Sequence, residues 1–162
     1  MSSMRRDIIQ LLIWIIIAQL AGIVGSAFTT SNIPAWYALL HKPPFNPPNW
    51  IFAPVWETLY IMMGISAYLV WRNWKNNNYE TAKALFVFIN QLILNAAWSV
   101  IFFGQHRILF AFAVIVLLWV VILVNMIQFY KISKPAGWLI VPYILWVSFA
   151  SVLNLSIWVL NR

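Results

Sequence analysis

The chain has no cysteine among its 162 residues. Disulfides, thiolate metal centres and cysteine nucleophiles are therefore excluded, while the compartment stays open. Acidic residues are nearly missing as well: Asp7, Glu57 and Glu80 stand against ten Lys and Arg, for a formal net charge of +7. Three scattered carboxylates make no acidic ring and no proton relay, which argues against ion or proton conduction. The two histidines, His41 and His106, fall in separate connecting segments and read as surface groups in preference to metal or haem ligands. No Walker-type loop, G-x-S-x-G elbow or H-E-x-x-H helix is present. Only 8% of residues are charged, against about a quarter in ordinary soluble domains.

What fills the chain instead is apolar: 64% of residues are hydrophobic, including 11 Trp, 11 Phe and 6 Tyr. Such a chain exposes too much apolar surface for water and reads as a single integral membrane domain. The basic residues lie singly or in pairs between apolar runs. That pattern suits topology signals and lipid headgroups, not the continuous basic face a nucleic acid needs.

A spanning helix needs about 20 mostly apolar residues. Five such runs are predicted: 8–28, 51–70, 84–103, 108–129 and 135–160. The first is too long for the ~7–15-residue core of a signal peptide. Continuous runs of this kind are unlike the alternating strands of a membrane barrel. The expected fold is an all-α bundle of five transmembrane helices. Arg5, Arg6, Arg72, Lys75, Lys83, Lys131 and Lys134 fall on the N-terminal side; Lys42, Arg107 and Arg162 fall on the other. This excess predicts a cytoplasmic N-terminus.

The first connection, residues 29–50, ends in "HKPPFNPPNW", with four prolines in ten residues. Proline lacks an N–H and fixes φ, so this segment continues neither helix. Trp36, Tyr37, Leu39, Leu40, Phe45 and Trp50 make it too apolar for a solvated linker. It is expected to fold back as a lid over the bundle mouth, with a short helix after Pro34 and Asn49 capping the second span.

Within the spans, Gln91, Asn95 and Ser99 follow an i, i+4, i+8 row with Trp98 beside it. Such rows ordinarily join helices by hydrogen bonds. Trp146, Ala150 and Asn154 repeat the spacing in the fifth span, and Ala18, Gly22 and Ser26 in the first. Glu57 is the one acid inside the apolar runs, a functional candidate by its cost there; the plainer reading is a carboxylate favoured by a nearby helix N-terminus. Trp36, Trp71, Trp74, Trp138 and Trp158 suit interfacial belts. Trp56, Trp98 and Trp146 lie deeper and offer flat faces with one N–H each, suited to a flat apolar ligand.

The stretch "AWYALLHKPPFNPPNWIFAPVWETLYIMMGISAYLVW" from Ala35 to Trp71, followed by "LILNAAWSVIFFG", "LLWVV" and "VPYILWVSFASVLNLSIW", resembles the translocator protein family. This family is also called the tryptophan-rich sensory protein or peripheral benzodiazepine receptor family. The resemblance covers nearly the whole chain in order. It implies a five-helix bundle, usually a homodimer, with one pocket per chain under the first connection. It implies binding of porphyrins, protoporphyrin IX among them, and of isoquinoline- or benzodiazepine-type drugs, with a role in tetrapyrrole transport or regulation and no required cofactor. Carried onto this sequence, the pocket residues are Tyr37, Pro47, Trp56, Asn95, Trp98, Trp146 and Ala150, with Trp119 a further member. Some bacterial members degrade protoporphyrin IX in light and oxygen; the two tryptophans this implies are Trp56 and Trp146, with porphyrin then a substrate. A third reading is a membrane interaction or scaffold protein. Leu155 and Ser156 stand where animal members carry the tyrosine of their sterol motif, and Phe45 replaces a frequent lid tryptophan, so the chain looks bacterial, from a cell membrane.

Overall fold

The computed structural model describes residues 3–162; the first two residues of the expected single domain lie outside them. Five long helices account for most of the chain: α1 Ser3–Ala35, α2 Phe52–Trp71, α3 Asn78–Ser99, α4 Ile108–Ile132 and α5 Lys134–Leu160. There is no strand among the described residues. Each helix is long and apolar enough to cross a membrane. The chain is a multi-pass, all-α integral membrane bundle, as the five apolar runs require.

The helices do not pack in chain order. α1 lies against α2 and α3, α2 against α5, α5 against α4, and α4 against α3, so the ring runs α1–α2–α5–α4–α3. Met63, Phe88, Ile115, Ile122, Phe129, Ile140 and Val147 fill its centre, all essentially inaccessible. α1 buries the smallest share of its residues of the five. What brings it close to α2 is glycine: a Cβ on Gly64 would lie 2.5 Å from Cα of Ile15. Close backbone approach of this kind substitutes for the hydrophobic effect, which lipid does not supply between helices.

Three boundaries differ from the sequence reading. α1 does not end at Phe28 but runs through "TTSNIP" to Ala35. Its polar residues stay helical because each bonds the carbonyl four residues back: Thr29 Oγ1 to Gly25 O (2.9 Å), Thr30 Oγ1 to Ser26 O (2.9 Å), Asn32 Nδ2 to Phe28 O (2.8 Å). Pro34 comes only in the final turn. The lid connection is therefore shorter than residues 29–50. α3 starts at Asn78, inside the loop expected from "RNWKNNNYETAK", because the Asn77 side chain accepts from Glu80 N–H (3.2 Å) and caps it. Asn49 caps nothing; α2 is entered through a short 3₁₀ turn, Asn49–Ile51, with no side-chain cap.

Candidate ligand cavity

α3 ends in a π turn, Val100–Gly104, closed by Gln105 N–H to Val100 O at 2.9 Å. The extra residue in the turn lets two consecutive side chains, Phe102 and Phe103, both bury, with ring centroids 4.8 Å apart. They stack under the end of α1 and the lid. Trp36 packs edge-on against Phe102 and lies flat on His106, at 4.3 Å and 18°. His106 adopts φ 56° and its Nε2 meets Asn32 Oδ1 at 3.0 Å. Trp36 is thus part of this second cluster and not a free belt residue.

Between that cluster and the central core lies a cavity of about 310 Å³. Its aromatic walls are Phe52, Trp56 and Tyr60 from α2, Trp98 from α3, Phe102 from the π turn and Trp146 from α5. Ala150 and Asn154 continue the α5 wall, and Gly22 and Gly25 form the α1 wall. Gly22 has no room for a side chain: a Cβ would lie 2.5 Å from the Tyr60 ring. Tyr37 contributes from the lid. Along the α1–α2 seam the lining residues Ile23, Ser26, Ala53 and Glu57 are exposed. The cavity is therefore open on that flank as well as under the lid.

Buried hydrogen bonds set the shape. Tyr60 O–H donates to Asn95 Oδ1 at 2.7 Å, and Asn95 Nδ2 donates to Tyr143 Oη at 2.8 Å. Trp56 stacks on Tyr60 at 5.6 Å and meets Tyr143 edge-on at 6.2 Å. Trp98 Nε1–H donates to Asn154 Oδ1 (3.0 Å), whose Nδ2 donates to Ile108 O (2.9 Å). Each of these hydrogen bonds joins different helices and so fixes a wall. The exception is Trp146: its Nε1–H is buried without a partner among the described residues. A buried donor without an acceptor costs about 1–3 kcal/mol.

The lid is held by polar contacts around its prolines. Lys42 Nζ donates to the carbonyls of Tyr37 (2.7 Å), Leu40 (2.9 Å) and Ala38 (3.2 Å), ending a 3₁₀ turn at Tyr37–Leu39. Tyr37 O–H donates to Asn46 Oδ1 at 2.6 Å. Burial pushes the Tyr37 phenol up to about 12, so it remains a neutral donor. From the far end of the chain, Asn161 accepts from His41 N–H (3.0 Å) and donates to His41 O (2.8 Å), strapping the lid to the end of α5.

The structure thus brings Tyr37, Trp56, Asn95, Trp98, Trp146 and Ala150 to one cavity. Pro47 does not line it: its carbonyl accepts from Asn46 Nδ2 (3.0 Å), so it braces the loop behind Tyr37. The lid residue that reaches the wall near it is Asn49. Trp119 also lies off the wall, donating to Ser148 Oγ at 2.8 Å. The sequence reading missed Tyr60, Tyr143 and Phe102. Tyr60 follows Trp56 by four residues and so shares its face, a signal that was available; Tyr143 and Phe102 depend on the ring order and the π turn.

Residues 14–159 match the TspO/MBR family. The tryptophan-rich protein TspO of Chlorobaculum tepidum is 43% identical over 159 residues, covering 98% of this chain and 99% of that relative. The translocator protein of Bos taurus is 35% identical over 147 residues, with 91% and 87% covered. The tryptophan-rich sensory protein of Cereibacter sphaeroides is 32% identical over 151 residues, with 91% and 92% covered.

Proposed function

The chain belongs to the TspO/MBR family, and from that premise we propose that it is a membrane receptor whose cavity binds one flat, largely apolar ligand. Porphyrins such as protoporphyrin IX and isoquinoline- or benzodiazepine-type drugs are the proposed ligand classes. The observation that carries this reading is the aromatic enclosure itself. Trp56 and Trp146 come from α2 and α5, Trp98 from α3, and Tyr37 roofs the space, with about 310 Å³ between them. Ligand sites are mostly apolar clefts of roughly 300–1,000 Å³ with a few polar groups that orient the ligand. Trp146 lines the cavity, and its buried N–H has no hydrogen-bond partner among the described residues. A tetrapyrrole larger than the enclosed volume would extend through the open α1–α2 flank. The cytoplasmic N-terminus and the homodimer belong to the same proposal, the first resting on seven basic residues against three.

Titration of the detergent-purified protein with protoporphyrin IX, followed by tryptophan fluorescence, tests the reading. Saturable quenching is expected, weakened at least about tenfold by Ala150→Leu, whose larger side chain occupies the cavity. No saturable quenching with any porphyrin or isoquinoline overturns it.

A second reading, light- and oxygen-dependent porphyrin breakdown, draws on one observation: Trp56 contacts Tyr60 and Tyr143, three oxidisable rings in sequence. A Trp56→Phe, Trp146→Phe double variant that binds porphyrin but bleaches it more slowly under illumination supports that reading. Wild-type bleaching by the double variant rejects it.

A further inference from the structure

A second hollow lies on the outside of the bundle, where α4 begins and α5 ends: an open groove of about 590 Å³. Its apolar lining includes Leu109, Phe110, Phe112 and Ala113 of α4 and Trp158 of α5; its polar lining is His106, Arg107 and Asn161. It shares no lining residue with the aromatic cavity. We propose that this groove seats one anionic phospholipid, with its phosphate at Arg107 and Arg162 and an acyl chain along the α4 side chains.

Charge is the first argument. Arg107 lines the groove, and the Arg162 guanidinium lies 5.8 Å from the centre of the Trp158 ring, so two guanidinium groups serve one site. No Asp or Glu lines it. The chain's three acids are elsewhere: Glu57 lines the aromatic cavity, while Asp7 and Glu80 lie early in α1 and α3, helices that begin at the opposite end of the bundle. A planar guanidinium matches phosphate oxygens with paired donors. A zwitterionic headgroup would bring its own cation to these arginines; an anionic one brings none. The apolar half decides between a lipid and a soluble anion. Leu109 and Phe110 are 51% and 57% exposed, a surface that suits an acyl chain and offers nothing to a free phosphate. Ala113 follows Leu109 by four residues on the same face, and its small side chain leaves a trough there. Depth agrees: a Trp beside an Arg at a helix end marks the headgroup level, where phosphates lie. The polar lining is also fixed in advance. His106 stacks on Trp36 at 4.3 Å and meets Asn32 at 3.0 Å, and Asn161 bonds His41 and the Ile157 carbonyl. Little ordering is then left for the lipid to impose.

The test places the full-length protein in phosphatidylcholine nanodiscs with a trace of photoreactive lipid. The two probes are phosphatidylglycerol and phosphatidylcholine, each with a diazirine high on one acyl chain. After illumination, labelled peptides are mapped by mass spectrometry. In wild type, the phosphatidylglycerol probe is expected to label residues 107–113 and Trp158 at least about fivefold more than the phosphatidylcholine probe, the preference that one basic residue gives for an anionic lipid. Arg107→Gln with Arg162→Gln should bring that ratio to within about twofold of unity. Both arginines are exposed, and circular dichroism of the pair should match wild type. Arg72→Gln with Lys75→Gln, at the opposite end of the bundle, should leave the ratio unchanged. Equal labelling of the groove by the two probes in wild type overturns the proposal without recourse to any variant. A preference that survives loss of both arginines overturns it as well. Loss of the labelling when glycerol phosphate is added at the concentration of the probe would reduce the groove to an anion site and overturn the lipid assignment.

Discussion

Tyr60→Phe removes one oxygen and changes almost no volume, so its effect isolates the hydrogen bond at the cavity floor. In the wild type, Tyr60 donates to Asn95 at 2.7 Å and Asn95 donates to Tyr143 at 2.8 Å, all three residues being buried. Interhelical hydrogen bonds in membranes average about 0.6 kcal/mol and reach about 1.7. The upper part of that range applies here, because the variant leaves Asn95 Oδ1 buried with no donor, and an orphaned buried acceptor costs about 1–3 kcal/mol. The expected destabilisation is about 1–2 kcal/mol, read from the SDS mole fraction that half-unfolds the protein in mixed micelles. The ring of Tyr60 is also the surface on which Trp56 stacks. Freed from Asn95, that wall loosens, and ligand affinity should fall several-fold. Tyr60→Phe within about 0.3 kcal/mol of wild type would refute the reasoning: the hydroxyl would then be dispensable and the floor held by packing alone.

Three further outcomes follow from the same geometry. Gly64→Ala places a methyl 2.5 Å from the Ile15 backbone and should destabilise the α1–α2 pairing by about 1–3 kcal/mol in the same unfolding assay. Asn161→Ala removes both contacts to His41; the bundle should stay folded by circular dichroism while stopped-flow ligand release accelerates about fivefold. Tyr37 is held neutral by burial, its pKa raised from 10.0 to about 12. Its contribution to lid closure is therefore fully present below pH 10 and is lost as pH rises from 10 through 12; the off-rate should be flat below pH 10 and rise above it, and Tyr37→Phe should remove that alkaline rise.

Helix count, the inward row on α3 and the stripe on α5 were legible because each follows from local spacing. Gln91, Asn95 and Ser99 are all buried, and Trp146, Ala150 and Asn154 all reach one cavity, as residues four apart on a helix must share a face. What failed was where local signals pointed two ways. Thr29, Thr30 and Asn32 read as a helix stop, yet their side chains bond back to the helix and let it continue. Partners distant in sequence were not legible at all. That Asn95 joins Tyr60 and Tyr143 depends on the ring order of the helices, and no spacing within α3 encodes it. Pro47 shows the limit of transferring a position by motif: it belongs to the lid but supports Tyr37 from behind, while Asn49 reaches the wall.

The central claim is that one flat ligand occupies the space between Trp56 and Trp146 beneath Tyr37. A structure of the protein solved with protoporphyrin IX or an isoquinoline drug tests it most directly. The ligand's plane is expected against the indole of Trp56 or Trp146, with the lid still strapped to Asn161. A ligand found only on the outer, lipid-facing surface of the helices, with the cavity empty, would contradict it.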